Sequence, residues 1–291
     1  MSKIALGTVK FGMEYGINST GGQIQPSNVE EILNYAKSQG IKLLDTAPAY
    51  GNSEQILGDY NVQGFNVVTK TRHFDCSTIG NPELQLLEND LKQTQIDLKQ
   101  EQIYGLLVHN ADDLLKFGSD KLYNRLNDLK QSGKIKKVGV SVYNHKQLQS
   151  IINNFDIDLV QLPYNILDHR LTYSGMFKLL KDKKVEVHAR SVFLQGLLLM
   201  SKQNRPTKFN RWKTLWDQWH EWLNDNQITA LEASIRHAVS ASGITKVIVG
   251  VDTQDQLNEI MIASDGVLPN IPTHLFTDDV DLLNPSNWKK L

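Results

Sequence analysis

Four polar residues lie at or just after the ends of short apolar segments, and their types suit proton transfer. Asp45 and Tyr50 fall in KLLDTAPAYGNSE, Lys70 closes NVVTK, and His109 closes IYGLLVH. In a parallel barrel the C-terminal ends of successive strands meet at one mouth, so these side chains would converge there. A tyrosine beside an ammonium group forms a tunable proton donor, because the positive charge stabilises the phenolate.

Each of these residues also has a purely structural interpretation. Asp45 could cap the turn that precedes Ser53, and Tyr50 could pack at the rim of the fold. Lys70 could be a solvated charge, and His109 could hydrogen-bond the backbone of its own loop. Because all four occur in order on three consecutive strand ends, a catalytic interpretation is favoured over four separate structural ones.

The elements that must position these residues are short β-rich segments alternating with segments of helical spacing. Strands are predicted over 4–11, 42–47, 66–71, 103–109, 137–142, 159–165, 186–192 and 246–251. Helices are predicted over 29–39, 83–98, 122–131, 146–153, 176–183, 230–241 and 254–263. The strands are mostly continuous apolar runs, which is typical of parallel strands covered by helices. This alternation predicts an α/β fold, a (β/α)8 TIM barrel, as a single domain over 1–291.

Proline and glycine positions support the predicted helix boundaries. Pro82 begins one helix and Pro26 precedes another, both favourable positions at a helix start. Gly40 and Gly133 follow predicted helices, where a left-handed C-cap residue is required.

The longest irregular segment, residues 193–228, follows the seventh predicted strand and contains an extra helix. Apolar residues repeat there at spacings of three and four: Phe209, Trp212, Trp216, Trp219 and Leu223. They could pack this helix onto the barrel rim, and one or two tryptophans could also line a substrate pocket. The same segment carries the basic residues Lys202, Arg205, Lys208, Arg211 and Lys213. These form either a solvated face or a contact to a phosphate-bearing ligand.

Composition indicates an ordinary globular protein without a preference for polyanions. The chain has 291 residues, is 40% hydrophobic and 22% charged, and carries a formal net charge of −1. A net charge this close to zero does not indicate binding to nucleic acid or to an anionic membrane. No segment reaches the roughly 18 apolar residues of a membrane span, and MSKIALGTVKFG lacks a basic-then-apolar leader. Cys76 is the single cysteine, which fits a reducing compartment, so a cytoplasmic location is expected.

The motif residues identify a resemblance to the aldo-keto reductase family, in its bacterial, sugar-enzyme-like branch. Asp45-Thr46-Ala47, Tyr50-Gly51 and Ser53-Glu54 carry the resemblance, together with Lys70 and His109, and it continues to the last predicted strand. It implies an NAD(P)H-dependent oxidoreductase that interconverts a carbonyl and an alcohol, with Tyr50 as general acid and base. Lys70 would tune the tyrosine, Asp45 would hold the lysine, and His109 would orient the carbonyl oxygen.

The resemblance also implies a set of cofactor-binding residues. Gly7 and Thr8 resemble the segment beside the nicotinamide ribose, and Asp45 is expected to contact the cofactor as well. Ser141 and Gln161 match residues that bind the carboxamide, although Val142 stands where the family usually has asparagine. Arg190 replaces a ring that stacks on the nicotinamide, and its planar guanidinium could stack there instead or could turn away. The remaining matches are Leu194, Gln195 and Gly196 over the pyrophosphate, and Gly250, Asp252, Thr253, Gln256 and Glu259 around the adenosine phosphate.

The residues conflict over which dinucleotide is preferred. The resemblance favours NADP(H), since relatives with glutamine at the Gln256 position still hold the 2′-phosphate. Asp252 falls where relatives place serine or lysine against that phosphate, and a carboxylate there favours NAD(H). Asp252 could instead cap the following helix and leave the phosphate to Thr253. NADP(H) is the expected cofactor, with NAD(H) as the alternative.

Three other functions remain open at this level. A non-catalytic nicotinamide-binding sensor or accessory subunit has the same fold, although four retained catalytic residues argue against it. A Schiff-base aldolase would need Lys70 unprotonated, which Asp45 opposes. A metal-dependent hydrolase is disfavoured, and no metal is expected, because no strand carries closely spaced histidines. The expected substrate is a small carbonyl compound, with a sugar or sugar derivative suggested by LGTVKFGMEYGIN and ARSVFLQGLLL.

Overall fold

The computed structural model describes residues 2–17, 22–60 and 62–291, and eight parallel strands form a closed barrel in it. The strands are β1 (Ile4–Gly7), β2 (Leu43–Asp45), β3 (Asn66–Lys70), β4 (Ile103–Val108), β5 (Ile135–Ser141), β6 (Leu159–Pro163), β7 (Glu186–Arg190) and β8 (Lys246–Val249). They are hydrogen-bonded in chain order, and β8 closes the barrel on β1. The predicted (β/α)8 fold is therefore confirmed, and its extent as one domain over 1–291 stays a prediction.

A helix follows each strand, although other segments precede it in several connections. The helices of seven residues or more are α1 (Pro26–Ser38), α2 (Ser53–Asp59), α3 (Asn81–Leu98), α4 (Ser119–Gln131), α5 (His145–Ile152), α6 (Met176–Asp182), α7 (Lys213–Asp225), α8 (Ala230–Ser240) and α9 (Gln254–Ala263). Arg170–Tyr173 and Val280–Leu283 form single helical turns. In the described part of the chain, no helix is both long and apolar enough to cross a bilayer. Gly40 and Gly133 adopt φ values of 68° and 75°, so both predicted left-handed positions are confirmed. Pro26 is the first residue of α1 rather than its predecessor.

One predicted strand is too long, and one observed helix is missing from the predicted set. The first predicted strand runs over 4–11, whereas β1 ends at Gly7 and Val9–Gly12 forms a short helical turn. Apolar residues continue through this turn because Phe11 is buried in it, and periodicity cannot separate a buried turn from a strand. The predicted helices omit α2, whose seven residues are too few to show a clear period. Both elements flank Tyr50.

The barrel interior is layered, and the predicted catalytic residues form its uppermost layer. Alternate residues of a strand point to the same side, so the residue two positions earlier lies one layer deeper. Those deeper positions form one apolar cluster: Ala5, Leu43, Val68, Leu107, Leu159 and Ile248. All six are at most 8% exposed, so the layer beneath the polar residues is apolar and buried.

The segment after β7 folds into a second apolar cluster beside the barrel. Trp216 and Trp219 are almost fully buried, and their indole N–H groups donate to the backbone oxygens of Phe209 and Leu198. The packing interpretation of these tryptophans is therefore confirmed. Each member of the basic group is engaged within the fold: Lys202 and Lys213 with Asp217, Arg205 with the Met200 oxygen and His220, Lys208 with the Trp288 oxygen, and Arg211 with Asp279 and Asp281.

Candidate active site

The four predicted catalytic residues come together at the C-terminal mouth of the barrel. Asp45 is the last residue of β2, Lys70 is the last residue of β3, and His109 directly follows β4. Tyr50 lies in the connection between β2 and α2. Three of the four positions are thus fixed by strand register, while the tyrosine depends on the shape of a loop.

Close backbone packing holds the Tyr50 loop. A Cβ atom on Gly12 would lie 1.8 Å from the Tyr50 carbonyl oxygen, and one on Gly51 would lie 2.3 Å from the Gly12 oxygen. Gly51 also has a φ of 60°, in the left-handed region where glycine carries no steric penalty. Glycine at positions 12 and 51 therefore allows the turn after β1 to pack against the loop that carries Tyr50.

Buried hydroxyl groups fasten the same loop to the strand ends. The Thr8 hydroxyl donates to the Asp45 backbone oxygen at 3.0 Å and lies 2.8 Å from the Ser53 hydroxyl. Thr46 donates to Ser53 Oγ at 3.2 Å, and Ser53 donates to the Thr8 backbone oxygen at 2.9 Å. Thr8, Thr46 and Ser53 are fully buried. This network ties the start of α2 to β1 and β2, so it limits the movement of Tyr50.

Lys70 and Asp45 form a buried ion pair. Lys70 Nζ lies 2.8 Å and 2.9 Å from the two Asp45 carboxylate oxygens, and it also donates to the Thr46 backbone oxygen at 2.8 Å. Gln161 Nε2 donates to Asp45 Oδ1 at 2.6 Å. The Lys70 and Asp45 side chains are 1% and 6% exposed. A pair this buried persists only because further hydrogen bonds satisfy both charges.

The ion pair keeps the lysine charged. Burial by itself lowers the pKa of Lys70, but the negative charge of Asp45, the influence of Tyr50 and hydrogen bonds to both residues outweigh it and raise this pKa above the ordinary 10.5. Since the folded pKa exceeds the unfolded one, the ammonium persists at neutral pH and is lost only at strongly alkaline pH. A protonated lysine is not a Schiff-base nucleophile, so this charge state opposes the aldolase interpretation.

Tyr50 lies between the lysine and the histidine. The Lys70 ammonium is 4.8 Å from the centroid of the tyrosine ring, and the Tyr50 and His109 rings meet edge-on with centroids 6.3 Å apart. Burial, together with the positive charge of Lys70, lowers the pKa of His109 from 6.5 to about 4. The imidazole is therefore neutral at physiological pH and keeps one N–H that can donate to an oxygen.

The predicted nicotinamide-side residues line the same mouth, but several are already bonded. Gly7 ends β1 against Ile248, and Thr8 is committed to the hydroxyl network described above. Ser141 ends β5 and is 4% exposed. Gln161 uses its amide nitrogen on Asp45, which leaves its amide oxygen for another partner. Arg190 ends β7 and is partly buried.

The predicted pyrophosphate segment is a strained turn after β7. Leu194, Gln195 and Gly196 have φ values of 49°, 53° and 92°, all in the left-handed region. Gln195 Nε2 donates to the Tyr15 hydroxyl at 2.8 Å, and the Ile17 amide donates to the Gln195 oxygen at 3.5 Å. The turn therefore reaches across the mouth to the segment that follows β1.

The predicted adenosine-phosphate residues surround the start of α9. Thr253 is the N-cap of this helix and accepts a hydrogen bond from the Gln256 amide at 3.2 Å. The suggestion that Asp252 caps the helix is wrong, because its carboxylate pairs with Lys10 Nζ at 2.6 Å. Capping requires a side chain that turns back to the first helical amides, and Thr253 already occupies that position. Gly250 and Glu259 are exposed on either side.

Sequence reasoning missed three residues of this site: Lys10, Tyr15 and Thr71. Lys10 falls within the predicted first strand, which is too long, and Tyr15 lies between predicted elements. The Thr71 hydroxyl accepts a hydrogen bond from the His109 amide at 3.2 Å. Each contacts a residue that is distant in the chain, so no local pattern predicts these contacts. The charge of Asp252 is the one available signal, because a carboxylate near a phosphate site calls for a cation such as Lys10.

The mouth is suited to a dinucleotide. Arg190 supplies positive charge on one side of it, and the first amides of α9 offer further donors to a phosphate near the Lys10–Asp252 ion pair. Gly250 adds open space, because a Cβ atom there would meet only the Gly7 oxygen, at 4.0 Å. These donors and this opening fit a long, anionic cofactor that ends beside Tyr50.

Comparison with known proteins finds similarity to aldo-keto reductases in sequence and in fold. The model of the Aldo/keto reductase family matches residues 3–270. Aldo-keto reductase YhdN of Bacillus subtilis is 30% identical over 217 residues, which is 68% of this chain and 60% of YhdN. The NADH-specific methylglyoxal reductase of Escherichia coli is 27% identical over 68% of this chain and 65% of that protein. The holo form of aldo-keto reductase AKR11C1 from Bacillus halodurans has a TM-score of 0.73 at 21% identity, covering 94% of this chain and 91% of that chain. The alignments thus span less than two thirds of either curated relative.

Proposed function

The chain belongs to the aldo/keto reductase family, and we propose that it is an NAD(P)H-dependent oxidoreductase that interconverts a carbonyl and an alcohol. The observation that carries the proposal is the buried Lys70 ammonium, held by Asp45 and directed at the ring of Tyr50. If Tyr50 only packed at the rim, a buried charged lysine beside it would have no function. If Tyr50 is a proton donor, the lysine charge is explained because it stabilises the phenolate.

In the proposed mechanism Tyr50 acts as the general acid during reduction and as the general base during oxidation. The hydride comes from the nicotinamide when the dinucleotide is bound. Lys70 stabilises the phenolate that remains after proton transfer, and Asp45 keeps the lysine in place. Neutral His109 donates a hydrogen bond to the carbonyl oxygen and orients it towards the tyrosine hydroxyl.

We propose NADP(H) as the preferred dinucleotide, with weak discrimination against NAD(H). Asp252 alone would repel a 2′-phosphate, but its ion pair with Lys10 cancels that charge. Thr253 and the first amides of α9 remain as neutral donors to the phosphate. The E. coli relative is named as NADH-specific, so NAD(H) remains the alternative dinucleotide.

A small carbonyl compound is the proposed substrate, with sugars and sugar derivatives as the favoured class. Tyr15 and Tyr143 stand at the mouth with 41% and 43% of their surfaces exposed. Exposed aromatic rings beside a polar centre can pack against the apolar face of a sugar ring while hydroxyl groups bond the polar atoms. No charge on the substrate is required for this arrangement.

A substrate panel tests the proposal. Purified protein is mixed with NADPH or NADH and with aldoses, ketoses, nucleotide sugars, methylglyoxal and simple aldehydes, and the nicotinamide absorbance is followed. Turnover that disappears in Tyr50→Phe supports the oxidoreductase. Tight dinucleotide binding without turnover of any carbonyl or alcohol would favour the alternative, a non-catalytic nicotinamide-binding sensor or accessory subunit.

A further inference from the structure

Arg190 is a cation held in a fixed position at the barrel mouth. It is the last residue of β7, paired in register with Pro163 of β6. Its Nη2 donates to the Val142 backbone oxygen at 3.0 Å, and its guanidinium carbon lies 4.6 Å from the centroid of the Tyr143 ring. A backbone oxygen and an aromatic face therefore fix the guanidinium without neutralising it.

This cation has no counter-charge in the described part of the chain. Among the residues that the structure describes, no carboxylate forms an ion pair with Arg190, and its other hydrogen bond is a 3.4 Å contact from Nη1 to the Ser191 hydroxyl. The other cations at the mouth are paired, Lys70 with Asp45 and Lys10 with Asp252. Within the described ranges, the charge of Arg190 is therefore uncompensated while those of Lys70 and Lys10 are balanced.

The charge acts on the reacting groups. Burial lowers the pKa of His109 most, Lys70 lowers it further, and Arg190 is a smaller contributor in the same direction. Arg190 also opposes the effect of burial, which raises the pKa of the Tyr15 phenol. Any ring that passes a hydride to a carbonyl bound at Tyr50 and His109 must lie within this same electrostatic environment.

We propose that Arg190 makes the site discriminate between the two redox states of its dinucleotide, binding the reduced form more tightly than the oxidised form. This inference rests on the proposed function. The nicotinamide ring is neutral when reduced and carries one positive charge when oxidised, while the rest of the dinucleotide is unchanged. A fixed cation beside the ring therefore repels only the oxidised form.

The consequence concerns the direction of the reaction. Repulsion between two unit charges at a partly solvated position corresponds to about a tenfold difference in Kd, or more. A protein that releases the oxidised dinucleotide readily and binds the reduced one tightly is suited to carbonyl reduction. Tyr50 can serve both reduction and oxidation, so it does not indicate a direction. The charge of Arg190 favours reduction.

The test compares dissociation constants rather than turnover. Kd values for NADPH and NADP+, and for NADH and NAD+, are measured by calorimetry on the full chain and on Arg190→Met, Arg190→Gln and Arg190→Lys. The wild type should bind the reduced form about tenfold more tightly, and Met or Gln should abolish most of that ratio. Arg190→Lys keeps the charge and should keep the ratio. Arg125→Met, which removes an arginine of helix α4 that pairs with Glu88 of helix α3, is the matched control and should leave every Kd unchanged.

The outcomes separate the inference from the proposed function. If no dinucleotide binds the folded wild type, the proposed function fails. If both forms bind and the ratio is the same in wild type, Arg190→Met and Arg190→Gln, the inference is wrong while the oxidoreductase proposal stands. An equal loss of affinity for both forms would also overturn it, because Arg190 would then be a general phosphate contact or a packing residue.

Discussion

The ammonium of Lys70 lies 4.8 Å from the centroid of the Tyr50 ring, and the lysine has no access to solvent from which to recruit another partner. The position of the ammonium does not depend on a ligand, because the Asp45 carboxylate and the Thr46 backbone oxygen hold it. The site is therefore preorganised for charge on the tyrosine oxygen. Its consequences are measurable.

Tyr50→Phe should reduce kcat by about 100-fold or more, since a positioned acid typically contributes at least that much. Dinucleotide affinity should change little, because the ring and its contact with Lys70 are retained. Steady-state kinetics and calorimetry on the same preparation give both values. Near-normal turnover in this variant would make Tyr50 a rim residue and would contradict the mechanism.

Lys70→Met should abolish most turnover and also destabilise the fold. Removing one partner of a buried ion pair leaves Asp45 unpaired, at a cost of about 3–5 kcal/mol in the free energy of unfolding. The double variant Lys70→Met with Asp45→Asn removes both charges and should recover much of that stability without recovering turnover. Chemical denaturation and kinetics measured on both variants separate the two roles. Turnover regained in the double variant would show that the lysine only supports the fold.

Acid should destabilise the protein through its buried histidines. Burial, with a further contribution from His169, lowers the pKa of His237 from 6.5 to about 3. A lowered folded pKa means that the unfolded chain binds the extra proton first, so stability is complete above pH 6.5 and falls as the pH drops. His237→Phe keeps a ring stacked on Tyr164 and removes the titrating group. Between pH 7 and pH 4 this variant should lose roughly 1–3 kcal/mol less than the wild type. Parallel pH profiles would contradict the assignment.

Asp252→Ser should tighten NADPH binding about tenfold and leave NADH almost unchanged, because it frees the Lys10 ammonium beside the 2′-phosphate. Lys10→Met is the matched control. It leaves the Asp252 carboxylate unpaired and should weaken NADPH more than NADH. Calorimetry with both cofactors provides the comparison. An equal response of the two cofactors to Asp252→Ser would place its effect on the helix start rather than on the phosphate.

The sequence by itself determined the barrel and three of the four proposed catalytic positions. Strand alternation, proline and glycine boundaries and the residues that close each apolar segment are local signals, and β-strand periodicity places Asp45, Lys70 and His109 at one edge. The tryptophan spacing likewise predicted the extra helix after β7, because a buried stripe at a period of 3.6 is visible in the chain alone.

Only the tertiary structure decided which partner each polar side chain uses. Lys10 pairs with Asp252 across 242 positions of sequence, and Gln195 reaches Tyr15 across 180. Among the described residues Arg190 has no carboxylate partner, since the groups that hold it, the Val142 oxygen and the Tyr143 ring, come from the connection after β5. Such contacts leave no periodic trace, because they depend on where loops from separate strands meet once the barrel has closed. Closure of the barrel therefore decides which charged side chains at the mouth are paired and which are not. Local sequence patterns do not reveal this pairing.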